Sequence, residues 1–175
     1  MKSFLNACRI GDTDYVRQYV KRTNILHKRQ QPLSDAILNN HIDIVKILLA
    51  DKRTTPDAFI LPAVYTELIP RRHINMIRLL MEDGRIPDHI WNAMFIRSCA
   101  RGDVELVNLL LGYNKVDPAF DESEALVSAV WNNYPRVVSI LLQDGRADTN
   151  VYDGYLLRLA KRERYTEIEQ MLCVP

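Results

Sequence analysis

The sequence predicts an all-α protein, a linear array of about six helix-turn-helix repeats with a period of about 31 residues. Three recurring features support this prediction, and the first is a steady spacing of turn positions. Six positions, which we call the anchors, recur at intervals of about 30 residues: Asp12, His41, His73, Asp103, Tyr134 and Tyr165. A period of this length is typical of proteins built from stacked helical repeats.

The second feature is an apolar stripe after each anchor, as in Val137, Val138 and Leu141 after Tyr134. Residues spaced by three and four positions share one face of a helix. The third feature is a small residue five positions before most anchors, which allows two helices to approach closely: Ala7, Ala36, Ser98, Ala129 and Ala160. Helices of roughly ten residues are unstable alone in water, so the repeats must stack on one another.

Taken in order, the pattern predicts twelve helices in six pairs. They are expected at residues 3–10 and 13–22, 32–40 and 42–50, 57–69 and 73–83, 88–101 and 103–112, 122–133 and 135–143, 153–163 and 165–173. These pairs divide a single domain, 1–175, into repeats at approximately 1–30, 31–56, 57–87, 88–120, 121–151 and 152–175.

Local signals set the ends of individual helices. Asp12 or Thr13 is expected to cap the second helix of the first repeat. Pro135 opens the second helix of the fifth repeat, where a missing N–H costs least, and Gly145 ends it. In the third repeat about five extra residues, within TELIPRR, precede His73. This insertion is either a tolerated loop or a basic contact point.

The turn stretches ACRIGD, AILNNH, SCARGD and AVWNNY resemble the small-small-x-x-Gly-His turn of the ankyrin repeat family. The resemblance covers Ser3 to Cys173 and implies an ankyrin-type solenoid. The Thr-Pro-Leu-His signature of that family is absent, and most periods are shorter than the family's usual length of about 33 residues. The loops EDGRIPD and QDGRADTN indicate a divergent sub-type, similar to ankyrin-like proteins of amoebae and of the large DNA viruses that infect them.

Composition narrows the function classes. The net charge of +1 does not favour a nucleic-acid binder, which should carry a basic face. No apolar run approaches the ~18 residues of a membrane span, and no signal peptide is apparent. We therefore expect an intracellular, cytoplasmic protein without membrane attachment.

Catalytic and metal-binding motifs are also missing from the sequence. There is no phosphate-binding loop, nucleophile elbow or His-Glu-x-x-His motif, so we expect neither an enzyme nor a cofactor. Cys8, Cys99 and Cys173 occupy apolar positions of the repeat and are interpreted as small buried residues, because no Cys-x-x-Cys or His-x-x-x-His pairing suggests a metal site.

The remaining hypothesis is a protein–protein interaction module that binds through a concave groove and the inter-repeat loops; the alternative is an architectural subunit of a larger assembly. By the resemblance, the two residues before the Gly-His of each turn face the groove. The predicted partner-binding residues are Leu38, Arg53, Arg85, Arg101, Tyr113, Lys115, Trp131, Arg146 and Arg162. The positive loop residues suggest an acidic segment in the protein partner, which the sequence does not identify.

Trp131 is the expected centre of this surface. It lies about 200° around the helix from Ala129 and so points away from the second helix. The alternative is that Trp131 packs on the first helix of a neighbouring repeat, near Arg101 or Arg162, as half-buried core.

Overall fold

The computed structural model of the chain describes residues 3–23, 31–54, 56 and 73–173. All regular structure in these ranges is helical: eleven α-helices and a single 3₁₀ turn at Val20–Arg22. The predicted helix 57–69 and the TELIPRR insertion lie outside the described residues. None of the described helices is long and apolar enough to cross a bilayer.

The helices follow the predicted order, with ends shifted by no more than three residues. They are α1 Phe4–Ile10, α2 Thr13–Tyr19, α3 Gln31–Leu38, α4 Ile42–Ala50, α5 Ile74–Asp83, α6 Asp88–Ala100, α7 Val104–Gly112, α8 Phe120–Trp131, α9 Pro135–Asp144, α10 Val151–Glu163 and α11 Thr166–Leu172.

The chain forms two compact units, Met1–Pro87 and Asp88–Pro175. In the first unit α1 packs on α3, and the second helices α2, α4 and α5 contact one another in succession. In the second unit the first helices α6, α8 and α10 form one layer and the second helices α7, α9 and α11 form the other. Where both helices of a repeat are described they pack on each other, and within each unit the helices contact their equivalents in the adjacent repeat, as a stacked repeat requires.

The turns between paired helices share one backbone geometry. The anchor N–H donates to the carbonyl of the small residue five positions earlier, as in Tyr134 to Ala129 at 2.9 Å. The residue before the anchor is left-handed, for example Asn133 with φ 55°. The same bond occurs in the other turns at Asp12–Ala7, His41–Ala36, Asp103–Ser98 and Tyr165–Ala160. This six-to-one bond is the Schellman motif, which ends the first helix and redirects the chain into the second.

The small residues and the apolar stripes form the core, as predicted. All five small residues of these turns are fully buried, and so are Val137, Val138 and Leu141 of α9. The terminal repeats bury less of their second helices, because α2 buries only Val16 and α11 only Ile168. A polar outer face on a terminal repeat is the arrangement that keeps a repeat protein soluble.

The cap predictions can be checked directly. Asp12 caps α2, since its side chain accepts the Tyr15 N–H at 3.0 Å, and Asp103 caps α7 in the same way. Pro135 is the first residue of α9, and Gly145 ends that helix with φ 78°. The predicted cap at Asp12, the helix start at Pro135 and the helix end at Gly145 are therefore confirmed.

The anchor side chain also packs on the turn of the preceding repeat. The Tyr134 ring lies over Gly102, where a β-carbon would stand 2.5 Å from the ring's Cδ1. The His41 ring covers Gly11 in the same way, and its Nε2 lies 3.0 Å from the Arg9 carbonyl oxygen. Neighbouring turns are therefore in direct contact, and the space above these two glycines is already filled.

Replacing Gly102 by Ala should destabilise the protein more than replacing Gly145 by Ala. Both glycines have positive φ, so each alanine variant carries a backbone cost of about 1–2 kcal/mol. Nothing lies within 4 Å of a β-carbon at Gly145, whereas the Gly102 variant must also displace the Tyr134 ring. Urea unfolding of the two variants measures the difference, and equal losses of stability would contradict the packing of Tyr134 on this turn.

Candidate functional site

The side chain of Trp131 lies at the surface. It ends α8 and is 57% exposed, although Ala129 and Val130 immediately before it are fully buried. The helix explains this contrast, because residues one and two positions apart point in directions about 100° and 200° apart. More than half of the Trp131 side chain is therefore open to solvent, at the end of a first helix.

The equivalent positions on the adjacent first helices of the same unit are held by Ala100 on α6 and Arg162 on α10. Ala100 is half-buried and small, so nothing bulky stands on that side of Trp131. Arg162 is exposed, and its Nε lies 2.7 Å from the Glu163 carboxylate. Arg101 is also exposed and makes no ion pair within the described part of the chain. Trp131 is thus the one aromatic member of a polar row.

In the first unit the same positions are less prominent. Leu38 is half-buried, and the exposed Arg9 donates to the Asn6 side chain at 2.8 Å. Ile10, one position further along, is 56% exposed. The turn-side ends of these helices therefore expose apolar surface in both units, though the larger side chain is Trp131.

The loop arginines have a structural role that the sequence analysis did not predict. The Arg53 guanidinium binds the Asp51 carboxylate two residues earlier with two hydrogen bonds, at 2.9 and 2.6 Å. Its remaining N–H groups donate to the carbonyl oxygens of Val20 and Thr23, in the loop of the preceding repeat. We call this arrangement, in which an Asp-x-Arg pair holds the preceding loop, the loop clamp.

The loop clamp recurs once more in the first unit and once in the second. Arg85 binds Asp83 and donates to the carbonyl oxygens of Thr54 and Leu49, at 2.6 and 2.8 Å. Arg146 binds Asp144 and donates to the Val116 carbonyl at 3.2 Å. A planar guanidinium suits this task, since its fork of N–H groups binds a carboxylate on one side and leaves donors on another.

Charge at these loops is therefore balanced locally. The Arg53 guanidinium holds the pKa of Asp51 down at about 2, and the Asp144 pKa is lowered by Arg146 for the same reason. In return, hydrogen bonding to the carboxylates raises the pKa values of Arg53, Arg85 and Arg146. Each of these arginines forms an ion pair with the aspartate two residues earlier. The positive charge of these loops is therefore balanced within each loop.

The fourth repeat lacks the loop clamp. Tyr113 and Lys115 stand where the loops of the second, third and fifth repeats have the aspartate and the arginine. The Lys115 ammonium instead lies 3.6 Å from the Asp88 carboxylate, a long and largely exposed pair. Tyr113 is half-buried at the end of α7, where its N–H donates to the carbonyl oxygens of Leu110 and Leu111.

A second kind of polar contact holds the loops of the second unit to their first helices. The buried Asn92 side chain accepts the Asp117 N–H at 2.8 Å, and one repeat later the buried Ser123 hydroxyl accepts the Asp148 N–H at the same distance. Both acceptors lie eleven residues before an anchor. Loop and first helix are thus joined by one hydrogen bond in each of these repeats.

Two of the three cysteines fit the prediction. Cys8 and Cys99 are fully buried, and burial raises the pKa of each thiol to about 12. Such thiols stay protonated and unreactive near neutral pH. The prediction for Cys173 was wrong, because this residue is exposed. It follows the last turn of α11, and no further described helix packs over that position.

Comparisons with known proteins agree with the repeat geometry. No protein-family model matches the sequence, and a search of curated proteins finds no match. Among solved structures, an ankyrin repeat domain from Acinetobacter baumannii AYE is similar over 97% of this chain and 95% of that chain, with a TM-score of 0.75 and 20% identity. The class of fold is therefore a helix-turn-helix repeat protein, and its type is the ankyrin-type solenoid.

The loop clamp predicts a specific pH dependence. The folded-state pKa of Asp51, about 2, is below the usual 3.8, so the clamp stabilises the fold above about pH 4 and loses this contribution as the pH falls towards 2. In the Asp51→Asn variant, the free energy of unfolding should fall less between pH 5 and pH 2.5 than in the wild type. Urea titrations at the two pH values measure this difference.

Asp14→Asn is the matched control, because it removes the same charge from the same unit at a carboxylate whose side chain is 97% exposed. If Asp14→Asn flattens the pH dependence as much as Asp51→Asn does, the effect comes from net charge and the clamp is not its cause.

Proposed function

We propose that this protein is an interaction module that binds a partner protein through the exposed ends of its first helices, centred on Trp131. The observation that carries the proposal is the 57% exposure of Trp131 in a fold that buries its other tryptophan, Trp91, almost completely. Trp and Arg dominate many protein interfaces, because a large amphipathic side chain gains much from being covered. Arg101 and Arg162 flank Trp131 and add charged donors.

We further propose that the partner segment is acidic where it meets this row. Arg101, in the turn of the preceding repeat, brings a guanidinium without an ion pair in the described residues, and Arg162, in the following repeat, is paired with the partly exposed Glu163. A carboxylate of the partner could accept two hydrogen bonds from Arg101 while an apolar side chain covers the indole. Leu38 holds the position equivalent to Trp131 in the first unit and is proposed as an apolar contact there.

The loop arginines are part of the proposed surface, but they hold its loops in place and do not act as free charges. Arg53, Arg85 and Arg146 keep 43, 35 and 39% of their side chains exposed, so a partner can touch them. Their charges are already paired, and we propose that they contribute rigid loops to the rim. Lys115, in a loop without a clamp, is proposed as a further rim cation, with Tyr113 two residues before it.

A catalytic role has less support. Two clefts among the described residues, of about 420 and 270 Å³, open directly to solvent, whereas small-molecule sites usually enclose most of their ligand. An architectural role would be favoured by exposed apolar side chains at the terminal repeats, and Ile10 in the first repeat and Tyr152 in the sixth are of this kind. Both lie on first helices, whereas Met171 and Leu172 on α11 are half-buried.

Replacing Trp131 by Ala should abolish partner binding and leave the fold intact. The tagged wild type and the Trp131→Ala variant would be used in parallel affinity capture from the native cell, followed by mass spectrometry. A protein enriched by the wild type and lost with the variant is the expected result. The matched control is Arg136→Ala, an exposed position on the second helix of the same repeat, which should retain the captured protein.

A melting experiment completes this test. The free energy of unfolding of Trp131→Ala should fall by less than about 2 kcal/mol, because truncation of an exposed side chain leaves no cavity in the core. The proposal fails if the variant captures the same proteins as the wild type. A loss of stability above that value would instead assign Trp131 to the core.

A further inference from the structure

A second exposed aromatic patch lies at the opposite ends of the first helices of the last two repeats. Phe120 at the start of α8 is 40% exposed and Tyr152 at the start of α10 is 53% exposed. The Tyr155 ring meets that of Tyr152 edge to face, with ring centroids 6.4 Å apart. Exposed aromatic side chains thus occur at both of these helix starts, and Tyr152 also lines the cleft described below.

The backbone that presents these residues is unusual. The residues 121–123 and 152–154 each form a left-handed turn, with φ between 49° and 74°, and the second turn follows the first by one period of the repeat. Left-handed geometry costs non-glycine residues roughly 1–2 kcal/mol each. Only Gly154 among these six residues avoids that cost.

Specific hydrogen bonds hold both left-handed turns in place. In the first, the buried Ser123 hydroxyl accepts the N–H of Asp148 from the following loop at 2.8 Å. In the second, the Arg158 guanidinium donates to the carbonyl oxygens of Tyr152, at 3.1 Å, and Asp153. Because Arg158 is bound to these carbonyls, it is held at the backbone of the turn.

Between the two turns lies an open cleft of about 420 Å³. The charged groups that line it are all carboxylates, those of Glu122, Asp148 and Asp153, and the Tyr152 side chain forms its aromatic wall. Within the described residues none of these three carboxylates is in an ion pair. The Tyr152 phenol donates to Glu122, and this bond together with the nearby negative charge raises the Tyr152 pKa.

We propose that this cleft, with its aromatic wall, binds an extended lysine- or arginine-rich segment of another protein. Carboxylates without counterions attract a cationic side chain, and an exposed phenol ring offers it a cation–π contact. Carboxylates on two adjacent repeats favour an extended polycation over a single ion; consistent with this, the described residues contain no group of three His, Cys, Asp or Glu placed to share a metal. The surface is separate from Trp131 and has the opposite charge preference.

The test uses a fluorescein-labelled eight-residue peptide of alternating Arg and Gly, with a Glu-Gly peptide of equal length as its counterpart. Fluorescence anisotropy with the full chain should show binding of the Arg peptide, weakened by added salt, and no binding of the Glu peptide. The net charge of +1 gives the protein as a whole no general attraction for a polycation. Absence of Arg-peptide binding at low salt would overturn the proposal.

Variants locate the binding. The isosteric pair Glu122→Gln and Asp153→Asn should weaken binding of the Arg peptide ~tenfold, the scale of losing close charge pairs at an interface. The pair Glu105→Gln and Glu167→Gln removes the same charge from exposed positions on α7 and α11 and should change it less than about twofold. Equal weakening by both pairs would mean that only net charge matters, and the cleft would not be the site.

Variants of Tyr152 test the proposed site without changing any carboxylate. Tyr152→Phe should retain binding because the ring remains, whereas Tyr152→Ala should weaken it about fivefold, within the range expected for one cation–π contact. If Phe and Ala behave alike, the aromatic wall does not contact the peptide. Trp131→Ala should bind the Arg peptide as the wild type does, so the two surfaces can fail independently.

Discussion

The hydrogen bond from each anchor N–H to the carbonyl five residues earlier is the interaction on which the rest of the fold depends. It closes the turn at Tyr134 and Ala129, at 2.9 Å, and it recurs in the other described turns of this type. The bond requires a left-handed residue between the two helices, and it places the small residue at the point where they approach. A side chain larger than Ala or Ser at that point would separate them and open the apolar stripe to water.

Packing within a repeat does not by itself fix the loops between repeats. Polar groups hold the loops by hydrogen bonds: the loop clamps of Arg53, Arg85 and Arg146, and the buried acceptors Asn92 and Ser123. Each of these groups satisfies a backbone donor or acceptor that would otherwise compete for water. The repeats are therefore joined twice, by apolar contact between helices and by directed hydrogen bonds between loops.

Much of the fold could be predicted from the sequence, because paired helices place small and apolar residues at regular intervals along the chain. The spacing of Ala129, Val137 and Leu141 identified helices, turn and core correctly. Trp91 and Phe95, which are among the largest fully buried side chains, gave no such signal, since α6 is apolar on several sides and its pattern has no single face. An equal offset along the repeat shows that the loop arginines hold equivalent positions. It does not show that their guanidinium groups are already bound to aspartates, so the sequence alone indicates only a positive rim.

The left-handed turns were beyond the reach of pattern reasoning for a different physical reason. Asp121 tolerates the left-handed region better than most residues, but Glu122 favours the right-handed helix. The turn has a local bond, from the Ser123 N–H to the Ala119 carbonyl, and a non-local bond, from the Asp148 N–H to the Ser123 hydroxyl. The non-local bond leaves no signal in the sequence around the turn, and such a conformation persists only where the surrounding structure determines it. The acidic cleft of the last two repeats therefore depends in part on the hydrogen bond from the Asp148 N–H to Ser123, which also holds a loop to a first helix, so a change to Ser123 would alter the cleft and that loop together.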